Sequence, residues 1–211
     1  MNLYLIRHPK PDVVAGTCYG SMDIDLESGW QQDAEQLSSW LFSRLSGSSK
    51  SYHSPLIRAA SLARFLIPDS LESHSLSELD FGDWEGCLWS DIPKEDIDFW
   101  TQDIVHANPY NGESLKILND RVMRWWEEVI EDFHGLESLP SNMVIVAHSG
   151  VIKVLVSQLC GWPLAQAHLI NPDFLSVTEL SISMSAPTTN NQNNQQADFV
   201  SLKRLGAGDW I

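Results

Sequence analysis

Leu3-Tyr4-Leu5-Ile6-Arg7-His8-Pro9 is the stretch on which the reading of the whole chain turns. Four apolar residues run without a polar interruption into Arg7-His8. Such a run reads as a strand buried on both faces, as in a parallel sheet. In open α/β sheets ligands bind outside the carboxyl ends of the strands. Arg7 and His8 therefore fall where a fold of this kind builds its site.

The following segments alternate in the way that reading requires. Residues 9–26 form a loop punctuated by Pro9, Pro11, Gly16 and Gly20, and a loop of that length is usually functional. Ser28 opens a helix over 29–45, with Trp30, Ala34, Leu37, Leu41 and Leu45 near three- and four-residue spacing. A short strand is expected at 50–54. Ser54 as N-cap and Pro55 at the first helical position then start a helix that stops before Pro68. Arg58 lies in its first turn, near a helix N-terminus that favours anions. A third strand is expected at 71–76, a loop at 77–86 and a long amphipathic helix at 115–133. Met143-Val144-Ile145-Val146-Ala147 is a second fully apolar strand, and it ends at His148-Ser149-Gly150. A helix to about residue 160 and strands at 176–183 and 197–205 complete the pattern. The Asn- and Gln-rich tract at 188–196 reads as a disordered or loose hairpin tip. No repeat or linker divides the chain, so 1–211 is taken as one domain. Its expected architecture is α/β, a three-layer sandwich with a mostly parallel central sheet, helices on both faces and a small lid-like insertion at 87–111.

With 13 basic against 28 acidic residues, the net charge is -15. That balance argues against nucleic acid or an anionic membrane surface as a partner. No run reaches the 18 or so apolar residues of a membrane span, and the first apolar run is too short for a signal peptide. Cys18, Cys87 and Cys160 are odd in number and widely spaced, which suggests a reducing cytoplasm and neither disulfides nor a zinc site. Monomer and homodimer are both left open.

Two expected strands end in histidine, and a third feeds Ser54 and Arg58. Converging strand ends can bring two imidazoles and two guanidiniums together. That set suits phosphoryl transfer, in which arginine forks neutralise the non-bridging oxygens. A neutral imidazole can attack phosphorus, and the leaving alkoxide then needs a proton from a nearby carboxylic acid. The loop carrying Glu78 can supply one. The chemistry calls for no cofactor and no metal.

Five short motifs stand in order: Arg7-His8; Ser54-Pro55-Leu56-Ile57-Arg58-Ala59-Ala60; Glu78-Leu79-Asp80-Phe81-Gly82-Asp83-Trp84-Glu85-Gly86; Gly112-Glu113-Ser114; and Val146-Ala147-His148-Ser149-Gly150. In this order and spacing the chain resembles the histidine phosphatase (phosphoglycerate mutase-like) superfamily, from residue 3 to about 160. The resemblance implies that His8 is the phosphorylated nucleophile and that Arg7, Arg58 and His148 complete the phosphate pocket. It places the proton donor at Glu78. Ser149 and Gly150 would add a backbone N–H, and Tyr19 and Gly20 would approach the substrate from the first loop. The implied partner is a small phosphorylated substrate.

Two positions depart from the family pattern. Pro9 stands where glycine is usual, which fixes φ and removes an N–H. Lys10 replaces an acidic residue or glutamine and is expected to add a positive charge near the pocket rim. The insertion has one basic residue, Lys94, against Asp91, Glu95, Asp96, Asp98 and Asp103. That balance favours a phosphatase over a phosphoglycerate mutase-like phosphotransferase, whose lid must hold a bisphosphate. A catalytically silent phospholigand-binding module is the remaining alternative. The bacterial alpha-ribazole phosphatases are similar in the Glu78–Gly86 and Gly112–Ser114 motifs, and Trp84, Trp89 and Trp100 offer faces for an aromatic base.

Other residues read as structural. His53, His74, His106, His134 and His168 have no ligand spacing between them. Asp80, Asp83 and Glu85 brace their loop, while Trp40, Trp125 and Trp126 sit at core spacing in helices.

Overall fold

The computed structural model describes residues 1–109, 111–134, 140–183 and 199–208. Six strands form one sheet: β1 (Asn2–Arg7), β2 (Ser49–His53), β3 (Leu71–Glu72), β4 (Asn142–Ala147), β5 (Val177–Ser183) and β6 (Phe199–Ala207). Their order is β3-β2-β4-β1-β5-β6. The first four run parallel, while β5 pairs antiparallel with β1 and β6 antiparallel with β5.

Both faces of β1 and β4 are covered, which is why their sequences are continuously apolar. Leu3, Leu5, Met143 and Ile145 pack against α4 (Leu115–His134) and α5 (Ser149–Leu159). Tyr4, Ile6, Val144 and Val146 point the other way. They pack against α1 (Trp30–Arg44) and α2 (Ile57–Leu66). Each fully buried aliphatic side chain contributes roughly 1.5–3 kcal/mol of transfer free energy, so sliding β1 by one residue, which exchanges its faces, is strongly disfavoured. Trp125 and Trp126 lie in the first of these cores, and Trp40 flanks the second.

The expected elements appear, with local differences. The third strand covers two residues, because the chain turns into a 3-10 helix at His74–Leu76. Gly29, at φ 88°, takes the N-cap of α1 in place of Ser28. Helix α2 starts at Ile57 after an extended Leu56, so Ser54 is not its N-cap. The Ser54 hydroxyl lies 2.7 Å from His148 Nε2 instead. The tract at 188–196 lies outside the described residues. Within 87–111, α3 (Lys94–Gln102) forms. Ile92 and Trp84 pack on Cys18 of the first loop, and Thr17 bridges to Leu88. The insertion is thereby tied to the loop that follows β1.

Candidate active site

Register brings the two histidines together. Arg7 lies opposite Ala147 across the β1–β4 ladder, so the next residue on each strand, His8 and His148, emerges from the same edge. Their ring centroids are 5.0 Å apart. On the other side of β4, His53 pairs with Val146, which delivers Ser54 and then Arg58. All three buried groups are hidden: His8 is 1% exposed, Arg58 0% and His148 0%.

The tautomer of His8 follows from its neighbours. Nδ1 lies 2.6 Å from the Pro9 carbonyl oxygen, which only accepts, so Nδ1 carries the proton. Nε2 receives the Arg58 Nε–H at 3.3 Å, and a guanidinium only donates. Both constraints leave a lone pair on Nε2. Burial holds the His8 pKa well below its ordinary value, and the Arg58 and Arg7 charges push it further down against the raising effect of the Pro9 bond. Pro9 thus orients the imidazole through its carbonyl, and its ring stiffens the backbone that carries that carbonyl. The loss of an N–H at position 9 removes nothing that His8 uses.

The surrounding donors converge. Arg58 gives Nη1 to the Met22 carbonyl and Nη2 to the Gly20 carbonyl. Tyr19 lies 5.3 Å beneath its guanidinium. A Cβ on Gly20 would lie 2.2 Å from Glu85 Oε1 and 2.5 Å from the Leu79 oxygen, so only glycine lets this loop close over Arg58. Arg7 gives Nη1 to the Pro172 carbonyl at 2.7 Å. Among the described residues its Nε and the Nδ1 of His148 are buried without a partner. Among the described residues neither Arg7 nor Arg58 has a carboxylate within 4.0 Å. In a chain of net charge -15, two unneutralised guanidiniums beside orphaned donors form a site for an oxyanion.

Glu78 sits on the start of α5. Gly150 N–H reaches both of its oxygens at 3.1 Å, and Leu79 N–H reaches Oε1 at 2.9 Å. A Cβ on Gly150 would lie 2.3 Å from Glu78 Oε1. Gly150 is therefore the seat of Glu78, and its N–H is taken up by that carboxyl. This corrects the expectation that it faces the phosphate. Oε2 keeps the freer lone pairs. The Gly112-Glu113-Ser114 motif supports the same loop from below. Glu113 pairs with Arg121 at 2.8 Å, and Arg121 donates to the Ser75 and Glu78 carbonyls. Ser114 Oγ receives the Ile117 N–H at 3.2 Å.

A cavity of about 410 Å³ has Arg7, Tyr19, Gly20, Glu78, Ser149 and Gly150 in its wall, while His8, Arg58 and His148 are not among the residues that line it. Phe81, Trp89 and Trp100 line its outer part, and the two indoles stack at 24° with centroids 6.4 Å apart. The three lid tryptophans divide: Trp84 is buried in the lid core, while Trp89 and Trp100 face the cavity. Lys10 is exposed and bound to Glu27 at 2.5 Å, so it does not supply the expected charge at the rim. Lys153 of α5 does, and the His168 ring lines the same cavity. His168 had no sequence signal, since only the turn at Leu164–Leu169 brings it round. Lys153 follows Gly150 by three positions and so shares its helix face.

Burial and the nearby positive charges lower the pKa of both His8 and His148. In the folded state both stay neutral below pH 6.5, where the unfolded chain begins to bind protons. Stability contributed by these groups is therefore full above about pH 6.5 and declines as the pH falls through that value. The neutral form of His8 persists across the same window. Acid inactivation of kcat/KM is accordingly expected well below pH 6.5, while the melting temperature already declines from that pH downward. Parallel pH–rate and thermal-melt series would check this; a kcat/KM that halves at pH 6.5 would contradict it.

The comparisons with known proteins agree with this geometry. The adenosylcobalamin/alpha-ribazole phosphatase of Escherichia coli (strain K12) is 31% identical over 173 residues, covering 77% of this chain and 81% of the relative. The corresponding protein of Salmonella typhimurium is also 31% identical over 173 residues, covering 78% and 82%. The crystal structure of the alpha-ribazole phosphatase from Shigella flexneri superposes with a TM-score of 0.80 at 28% identity, over 99% of this chain and 97% of that one. Residues 3–195 match the Histidine phosphatase superfamily (branch 1) as a family, and the chain belongs to that superfamily and is a phosphatase.

Proposed function

We propose that this phosphomonoesterase works through a phosphohistidine on His8 Nε2, and that its substrate is a small phosphorylated metabolite, alpha-ribazole 5'-phosphate in particular. The observation that carries the mechanism is the forced lone pair on Nε2. Pro9 takes the only ring proton and Arg58 can only donate. In the first step Nε2 attacks phosphorus and the P–O ester bond breaks. The leaving oxygen takes a proton from Glu78 Oε2. In the second step water attacks phosphorus, gives its proton to Glu78 and returns the P–N pair to Nε2. Arg7 and Arg58 neutralise the transferring oxygens. Ser54 can donate its O–H to His148 Nε2, which leaves Nδ1–H, unpartnered among the described residues, to bind the phosphoryl group.

Several observations support the substrate. The relatives above are named for it, and Phe81, Trp89 and Trp100 line the cavity with aromatic faces on which a planar base can stack. The lid itself offers a second anionic group little, and the rim cation is Lys153 of α5. Lys94 is spent on Asp98 and Lys116 on Asp120, so a bisphosphate-holding lid, as a mutase would need, is not supported. A panel of phosphate esters assayed in EDTA would test the reading. Alpha-ribazole 5'-phosphate should give the highest kcat/KM; a phosphoglycerate turned over faster by isomerisation than by hydrolysis would overturn it.

The role of Glu78 has its own signature. Glu78→Gln is expected to lower kcat about 10²–10⁴-fold for alkyl phosphates. The loss should be much smaller for p-nitrophenyl phosphate, whose leaving group needs no proton. Equal losses on both esters would argue that Glu78 only braces its loop.

A further inference from the structure

We propose that the turn at residues 172–176 is the positioning element of the phosphate site and that Phe174 is its deciding side chain. The inference rests on the reading of Arg7 and His8 as the phosphate-binding and attacking residues. Five contacts from this one turn reach those two residues. The Pro172 carbonyl accepts Arg7 Nη1 at 2.7 Å. The Phe174 ring lies under the Arg7 guanidinium, 3.9 Å from centroid to Cζ. The same ring stands 5.6 Å from the His8 imidazole, tilted by 46°. Leu175 N–H donates to the His8 carbonyl at 3.3 Å, and the Ser176 carbonyl accepts Arg7 N–H at 3.1 Å.

The turn is itself held from two sides. Ser176 closes it onto the Asp173 carbonyl through its N–H at 3.2 Å and its hydroxyl at 2.6 Å. Leu175 adopts φ 57°, a conformation a non-glycine residue keeps only where its surroundings impose it. On the outer side Gly206 of β6, at φ 54°, lies against Pro172; a Cβ there would meet Pro172 Cα at 2.8 Å. The last strand thus reaches the site through Pro172.

The consequence for Arg7 is geometric. Stacking on a ring fixes the guanidinium plane, and the Pro172 carbonyl takes Nη1. The Nε–Nη2 edge is then the free one, and Nε is buried and unpartnered among the described residues. That edge presents two parallel N–H bonds, the arrangement that binds an oxyanion bidentately. A carboxylate could also hold Arg7 in place, but it would cancel the charge the phosphate needs. An aromatic face holds the cation and leaves its charge in play.

Phe174 is therefore a positioning residue, and its effect should appear in anion binding. Phe174→Leu keeps an apolar side chain of similar size and removes the π-face. Orthovanadate inhibition and KM for p-nitrophenyl phosphate are each expected to weaken about tenfold. kcat should change less than about threefold and the melting temperature should stay put. Phe174→Tyr should restore both binding values. In an Arg7→Ala background, Phe174→Leu should have less than about a twofold further effect. Phe174 is partly exposed, so the variant is expected to fold; should it not, Phe174→Met serves for the same measurements. Parental vanadate affinity in the leucine variant, alongside an impaired Arg7→Ala, would overturn the inference alone. A full tenfold loss that persists without Arg7 would also overturn it, as general packing. If Arg7→Ala itself bound vanadate normally, both this inference and the reading beneath it would fall.

Discussion

His8→Ala is expected to abolish turnover, with kcat lower by on the order of 10⁴-fold or more. The ring it removes carries on Nε2 a lone pair that Pro9 and Arg58 keep unprotonated. Nδ1 is committed to the Pro9 carbonyl and Nε2 faces Arg58. No second imidazole can substitute, because His148 Nε2 is engaged with Ser54. The fold should survive. The substitution gives up two side-chain hydrogen bonds, each worth about 1 kcal/mol net, and the β1–β4 ladder beneath them is unchanged. Substrate should still bind, since Arg7 and Arg58 remain. Rapid quenching of the parent enzyme with labelled substrate should trap an acid-labile phosphoenzyme, and the variant should show none. A variant that hydrolyses p-nitrophenyl phosphate at the parental rate would sink the phosphohistidine mechanism.

Arg58→Ala should cost kcat/KM about 10³-fold, or roughly 4 kcal/mol of transition-state stabilisation, the range expected of a buried charged donor aimed at developing charge. Arg58 acts in three directions. It sets the acceptor role of His8 Nε2, it would place its positive charge beside the phosphorus of a bound ester under the proposed mechanism, and it draws the first loop inward through the Gly20 and Met22 carbonyls. Stability should move less than catalysis. Orphaned carbonyls cost about 1–3 kcal/mol each when they stay buried, yet removing the cation also removes its burial cost, which lowers the Arg58 pKa in the intact protein. Arg58→Lys should recover little activity, because one ammonium cannot span the positions that a planar fork reaches. Kinetics and thermal melts on the same preparations would separate the two effects; a loss under about tenfold in kcat/KM would remove Arg58 from the phosphate site.

The parts of this protein legible in the sequence are those fixed by short-range chemistry. Leu3–Ile6 and Met143–Val146 announce strands because both faces of a central parallel strand must be apolar. Arg7-His8 and His148 announce a site because polar residues that end such strands are placed at the ligand edge. Glu78 and Arg58 were legible through the ordered motifs, and Pro9 was legible as a departure. The meaning of Pro9 was not, since nothing local shows that His8 Nδ1 turns back onto its carbonyl. The same holds for Ser54. Its position before a proline reads as a helix cap, while its hydroxyl meets a histidine 94 residues away.

Tertiary structure alone decided the rest. Gly150 could equally have served substrate or Glu78, and the missing Cβ that admits the carboxyl is visible only when β4, α5 and residue 78 are assembled. Lys10 and Lys153 have the same side chain, and only packing spends the first on Glu27 and turns the second into the cavity. Phe174 carries no sequence signal, because its contact with Arg7 spans most of the chain. Sequence by itself determined the strands, the chemical class of the protein and most of the side chains that meet at the strand ends, since these follow from local polarity and side-chain chemistry. The tautomer of His8, the free edge of Arg7 and the seat of Glu78 depended on which distant groups close around them, and long-range packing sets that.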